Sequence, residues 1–229
     1  KKVVIDEVDE TLSLGFRTQL LNLFEFLPAK RQHLVFSATL SEEVELFLED
    51  YLISPVRVEA ARAGSPIDKI HQSAYLAPNF LSKVALLRHL LTAFEVDSKI
   101  LVFVSSRVLA DTLFEEINEE FSDSIGVIHS NKAQNFRFDA VQRFQTGETR
   151  VLIATDLIAR GIDVTDVTHV INFDIPENPE NYIHRIGRTG RADKNGMAIT
   201  FVAEKDDAAL EAIQLLMQQP LVFEKTPKQ

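Results

Sequence analysis

The sequence contains no cysteine, which rules out disulfides, thiolate metal sites and cysteine nucleophiles and suits a reducing cytosol. No apolar run is long enough to span a bilayer as a helix, and no basic start leads into an apolar core of the secretory kind. A soluble, cytoplasmic protein with no membrane contact is therefore expected. Positive charge is scarce: 24 lysines and arginines stand against 34 aspartates and glutamates, a net charge of −10. That excludes a broadly basic nucleic-acid coat, although a local basic groove can exist on an acidic protein. Glycine is sparse too, at eight residues, and no Gly-Lys-Ser or Gly-Lys-Thr occurs to close a G-x-x-x-x-G-K-[ST] phosphate loop. There is no internal repeat and no low-complexity tract.

What is present is an ordinary globular balance, 45% apolar and 25% charged over 229 residues, enough for one large domain or two small ones. Residues 3–5 read as a buried strand ending in Asp6-Glu7-Val8-Asp9. A helical pattern starts at Leu14-Gly15-Phe16, sets Phe16, Leu20, Leu23 and Leu27 on one face, and stops at Pro28. A strand at 33–36, a helix at 41–51 and a short strand at 56–59 follow, before Gly64 and Pro66 break the periodicity. Strands are then expected at 70–76, 100–104, 125–128, 151–154, 167–172 and 197–202. Helices are expected at 80–95, 107–121, 134–146 (closed by Gly147), 179–188 and 206–217. This alternation predicts an α/β fold, a parallel sheet flanked by helices through right-handed crossovers, with ligands beyond the C-terminal strand ends. The expected domains are 1–62 and 70–229, joined by a linker at 63–69.

Most of the chemistry is concentrated in residues 184–191, His-Arg-Ile-Gly-Arg-Thr-Gly-Arg. Arg188 and Arg191 are three apart, so a helical turn would project both from one face, and Gly187 and Gly190 permit a tight backbone. Each guanidinium offers phosphate a fixed fork of donors; two arginines three apart on their own are more often a solvated basic turn. Asp6 and Glu7, at the end of an apolar strand, suit an arrangement in which one carboxylate holds Mg²⁺ and its neighbour orients an attacking water. Ser37-Ala38-Thr39 follows the next strand, where on its own it reads more often as a cap for the helix at 41–51, and Ser41 with Glu42 and Glu43 also makes a good helix start. Ser105-Ser106-Arg107 can cap a helix or meet phosphate. Gln134-Asn135-Phe136-Arg137 presents an arginine on a helix. Ala154-Thr155-Asp156, with Ala159-Arg160-Gly161-Ile162-Asp163 close behind, offers a hydroxyl, a cation and a carboxylate, or a left-handed turn closed by an Asx cap.

In this order, over residues 3–205, these segments resemble motifs II to VI of the DEAD-box RNA helicases, with Val8 where the family has alanine. The resemblance implies a RecA-like fold, one complete domain preceded by part of a first, with ATP and Mg²⁺ as cofactors. It implies that Asp6 positions Mg²⁺, Glu7 orients the hydrolytic water, and His184 bridges to the Asp-Glu carboxylates. Arg188 and Arg191 would reach the ATP phosphates, with Gly161 and Asp163 on the nucleotide and Asp163 on its ribose. Ser106, Arg107, Arg137 and Thr155 would hold the RNA backbone with low sequence selectivity, and Asp9, Ser37 and Thr39 would couple the nucleotide and RNA sites across domains. The implied function is ATP binding and hydrolysis at a two-domain cleft, coupled to RNA binding and local unwinding by a monomer. The family carries its phosphate loop upstream of the Asp-Glu strand, so the chain is expected to be the C-terminal portion of a longer helicase, binding ATP poorly alone. Two alternatives stand beside this: a non-catalytic RNA-binding or regulatory module of the same fold, favoured by the missing phosphate loop, and a DNA-acting relative, disfavoured by the Ser-Ala-Thr wording.

Overall fold

The computed structural model describes residues 1–13, 15–37, 39–58, 69–121, 124–156, 164, 167–190 and 195–227. The chain divides into two compact units, Lys1–Ala61 and Arg62–Gln229. Residues 63–68 of the expected linker lie outside the described residues.

In the first unit, β1 (Lys2–Ile5) and β2 (Gln32–Val35) pair in parallel, with Val3 opposite His33 and Ile5 opposite Val35. Helices α1 (Val8–Ser13), α2 (Arg17–Glu25) and α3 (Glu42–Tyr51) accompany them. The core is Ile5, Val8, Leu12, Phe24, Val44 and Phe47. Val8 is fully buried in it, so the larger side chain is accommodated by packing. Three local expectations are corrected. The Asp-Glu segment leads directly into α1, a helix the short polar sequence Val-Asp-Glu-Thr-Leu-Ser conceals, and Gly15 at φ 77° separates it from α2. The buried face of α2 carries Phe24, with Leu20, Leu21 and Leu27 beside it, whereas Phe16 and Leu23 are exposed. Residues 56–58 join no sheet, because no partner strand pairs with them among the described residues; Val56 and Val58 are 89% and 86% exposed. A β-pattern without a ladder cannot satisfy its own backbone groups.

The second unit is one seven-stranded parallel sheet, in the order β5-β6-β4-β7-β8-β3-β9. Its strands are β3 (Ile70–Leu76), β4 (Ile100–Phe103), β5 (Ile125–Ile128), β6 (Val151–Ala154), β7 (His169–Asn172), β8 (Gly196–Val202) and β9 (Val222–Phe223). The helices are α4 (Phe80–Ala93), α5 (Arg107–Asn118), α6 (Gln134–Thr146), α7 (Pro179–Ile186) and α8 (Asp207–Met217). Strand side chains alternate strictly between two cores. Ile100 and Val102 of β4 join α4 and α5 on one face, and Leu101 and Phe103 join α6 on the other. The same second face continues under α7 and α8 through Tyr182, Ile186 and Ile213. With both faces covered, central strands carry continuous apolar runs, as parallel sheets require. Helix α6 ends at Gly147, whose φ of 82° is the left-handed cap its position predicts. The expected helix at 179–188 stops earlier, at Ile186, with Gly187 as its cap.

Two outcomes follow. Leu113, fully buried on α5, should cost about 2–5 kcal/mol when replaced by alanine, read as a lower urea midpoint with an unchanged slope. His169 stacks on Phe94 with ring centroids 4.0 Å apart, and burial, assisted by the Arg150 charge, lowers its pKa from 6.5 to about 4. The unfolded chain therefore takes up the proton first, so the contribution of His169 is complete above 6.5 and is lost as the pH falls towards 4. Urea midpoints measured across that window should fall less for His169→Phe, which keeps the stack, than for the native protein; equal falls would remove His169 as the cause.

Candidate functional site

In the first unit the Asp-Glu segment turns sharply from β1 into α1. Glu7 adopts φ 50° without being glycine, a conformation that disfavours a side chain, and its amide donates to Asp6 Oδ1 at 3.0 Å. One turn on, Asp9 is buried and accepts from both the backbone N–H and the hydroxyl of Thr39 at 2.9 Å. Burial pushes the Asp9 carboxyl up, but hydrogen bonds from Thr39, Glu10 and Ser37 more than offset it and hold it below the ordinary carboxylate range. Its stabilising share is present above that range and is lost as the pH falls through the depressed value. The Ser37 hydroxyl donates to the Thr39 carbonyl at 2.6 Å, while Ser41 caps α3 by accepting from Val44 N–H. Ser37 and Thr39 are thus bound to Asp9 and to each other, and the cap belongs to Ser41.

In the second unit β6, β4 and β7 are adjacent, so their C-terminal ends bring three loops side by side. Ser106 N-caps α5, accepting from Leu109 N–H at 3.2 Å, and the Arg107 guanidinium donates to Asn131 at 2.5 Å. Arg137 lies in the first turn of α6, and Thr155 is buried directly after β6. Helix α7 starts at Pro179 behind an Asn178 cap and carries Tyr182, Arg185 and Ile186 on its buried face. His184 is in its last turn. Arg188 is buried just beyond the helix end, which falls at Ile186 with Gly187 as its cap. Gly161, Asp163 and Arg191 lie outside the described residues.

Two functional groups that the sequence did not single out organise this region. Arg185, only 2% exposed, donates to both oxygens of Asp156, at 2.5 and 2.7 Å, and through its other nitrogen to Asn172 Oδ1 and the Asp174 carbonyl, at 3.2 and 2.7 Å. Its guanidinium also lies over the Phe103 ring, 5.0 Å from the centroid. The Thr155-Asp156 loop and the arginine segment are thereby tied into one piece. Beyond it, the Thr189 hydroxyl donates to the Val167 carbonyl at 2.6 Å, and Gly190 takes φ 69°. A side chain at Gly196 would sit 2.5 Å from Gly190 N, so β8 begins against the end of this segment. The second group is Asp174, which accepts from Lys83 Nζ and from Ser105 N–H, each at 3.0 Å. The signal for Arg185 was available in the sequence: a cation between Tyr182 and Ile186 on one helical face needs a buried acceptor.

Removing the Asp156 carboxylate should strand the Arg185 charge, at a cost of about 3–5 kcal/mol for Asp156→Ala. The paired substitution Arg185→Met with Asp156→Leu should recover most of that loss in urea unfolding, since an apolar pair avoids the stranded charge.

Two family models match the chain, DEAD/DEAH box helicase over residues 1–47 and Helicase conserved C-terminal domain over residues 82–193. The DEAD-box ATP-dependent RNA helicase CshA of Bacillus licheniformis is 37% identical over 225 residues, which is 98% of this chain and 46% of that protein. The chain thus spans about half the length of that relative. Among solved structures, S. cerevisiae Dbp5 bound to RNA and ADP BeF3 matches with a TM-score of 0.88 at 30% identity, covering 99% of this chain and 60% of that one. The E. coli DEAD-box protein SrmB, bound to regulator of ribonuclease activity A, matches with a TM-score of 0.63 at 37% identity, covering 68% of this chain and 90% of that one. Sequence, sheet topology and structural likeness agree: the chain belongs to the DEAD-box RNA helicase family, and its parallel sheet is RecA-like.

Proposed function

We propose that the chain is the C-terminal portion of an ATP-dependent RNA helicase, comprising a second RecA-like domain and part of the first, in which ATP binding and hydrolysis drive RNA binding and local duplex unwinding. The observation that carries this reading is the anchoring of the arginine segment by Arg185 on Asp156. It presents a buried-root, cation-bearing loop beside the Ser105–Arg107 and Thr155 loops, in a family whose relative Dbp5 was solved with RNA and ADP BeF3. Electrostatic stabilisation of phosphoryl oxygens is the main work of such enzymes, and an arginine so held meets the charge without reorganising.

The roles assigned are these. Arg188, with Arg191, neutralises charge on the transferring phosphoryl group, and Glu7 orients the attacking water. His184, in the last turn of α7, serves the same hydrolytic step as the arginine segment that follows it. Gly161 and Asp163 meet the nucleotide, and Ser106, Arg107, Arg137 and Thr155 hold RNA through its backbone, which gives low sequence selectivity. Asp9, Ser37 and Thr39 act as one hydrogen-bonded unit that relays between the two functions. Asp6 suits Mg²⁺, since that ion is commonly held by one or two carboxylates together with substrate phosphates and water. When bound, the ion would offset negative charge on the phosphates.

The test is ATP hydrolysis with and without RNA by the full-length protein carrying these residues. RNA should stimulate the rate, and Arg188→Ala should lower it about 10³-fold or more, with Glu7→Gln also severely impaired and RNA still bound by both. RNA binding without hydrolysis in the native full-length protein would instead identify a non-catalytic RecA-like module.

A further inference from the structure

Asp174 stands just beyond β7, and each of its polar groups serves a different neighbour. Oδ1 accepts from Lys83 Nζ of α4 at 3.0 Å, Oδ2 accepts from the Ser105 N–H in the loop after β4 at 3.0 Å, and the main-chain carbonyl accepts from Arg185 at 2.7 Å. Burial pushes its carboxyl up, yet the Ser105 amide and the Lys83 ammonium hold it below the usual carboxylate range. Lys83 is itself buried, over the Phe173 ring at 5.7 Å.

A buried ion pair is a poor way to gain stability, because desolvating the two charges costs about as much as their attraction returns. What it does supply is a charged acceptor of fixed direction. The acceptor here is spent on the first free amide of the loop that carries Ser106 and Arg107. The ladder of β4 leaves that amide without a strand partner, and a carboxylate-to-amide bond is stronger than a neutral one. The loop is consequently held at Ser105, next to the exposed Ser106 and Arg107.

We infer that Asp174 is a positioning residue: its side chain, aimed by Lys83, sets the Ser105–Arg107 loop for the RNA backbone, while its carbonyl fixes the same loop's distance from the arginine segment through Arg185. This rests on the function proposed above for Ser106 and Arg107. The division of labour within one residue makes a specific demand. Substituting the side chain disturbs the RNA loop and leaves the carbonyl, and hence the Arg185 anchor, in place. Asp174→Asn keeps an acceptor for Ser105 but loses the attraction to Lys83. Lys83→Met keeps the carboxylate but removes what aims it.

The experiment is RNA-stimulated ATP hydrolysis by the full-length protein with Lys83→Met, Asp174→Asn and both changes together, alongside amide exchange at Ser105 in the native protein and in Asp174→Ala. Each single variant should raise the RNA concentration for half-maximal stimulation by about tenfold, the equivalent of one charge-assisted hydrogen bond. The rate at saturating RNA and the half-saturating ATP concentration should stay within about twofold. Exchange at the Ser105 amide should accelerate in Asp174→Ala. A merely structural pair would instead lower the saturated rate and thermal stability together, with RNA half-saturation unchanged, and that result overturns the inference. Unchanged Ser105 exchange overturns it as well. If RNA fails to stimulate even the native protein, the proposed function fails, and the Ser105 exchange result still decides whether Asp174 positions the loop.

Discussion

A guanidinium taken almost wholly out of water must find acceptors for its donors, and Arg185 finds them on three residues of two neighbouring segments. Asp156 follows β6, Asn172 ends β7, and the Asp174 carbonyl lies two residues further on. The planar fork of arginine makes this arrangement directional: both carboxylate oxygens of Asp156 are engaged, so neither helix α7 nor the Thr155 loop can rotate without breaking a bond. Everything downstream inherits that fixation. Arg188 leaves the helix end at a set point, Thr189 is tied to Val167, and the start of β8 packs so closely that Gly196 admits no side chain. Net stability gained from such a pair is small. Its consequence is geometric, a short basic segment fixed at its root by an arginine that solvent scarcely reaches.

The sheet supplies the platform. Because every strand of the second unit is parallel, all loops at the C-terminal edge face the same way, and the order β6-β4-β7 sets three of them side by side. Strict alternation of side chains between the two cores locks the register, since a one-residue slip would exchange the faces. Asp174 then joins the loop after β4 to the segment anchored by Arg185, so the functional edge behaves as one hydrogen-bonded body rather than as independent loops. In the first unit the same economy appears on a smaller scale, where a single carboxylate, Asp9, gathers the Thr39 amide and hydroxyl across thirty positions of sequence.

Elements with a strong period were legible without coordinates. The strand Ile70–Leu76 and the helix Gln134–Thr146 with its Gly147 cap correspond to their sequence patterns, because apolar spacing and a left-handed cap are local properties. Weakly patterned pieces were not. The six-residue helix α1 is too polar and short to announce itself, and residues 56–58 look like a strand only until a partner is required. The helix expected to reach residue 188 ends at Ile186, since Gly187 closes it and Arg188 is turned inward.

By itself, the sequence determined the alternation of strand and helix, the absence of thiol chemistry and of apolar runs long enough to cross a membrane, and the family, because these depend on residue type, period and motif order along the chain. The tertiary structure alone decided which acceptors Arg185 takes, and that Arg188 follows it into a buried position. It alone decided which of the hydroxyls near Ser37 caps a helix, and that Lys83, Ser105 and Arg185 meet on Asp174. Those partnerships join positions up to 91 residues apart, and nothing in local spacing specifies them. They arise only when the parallel sheet sets its strand ends together and burial forces each charge to find its acceptor.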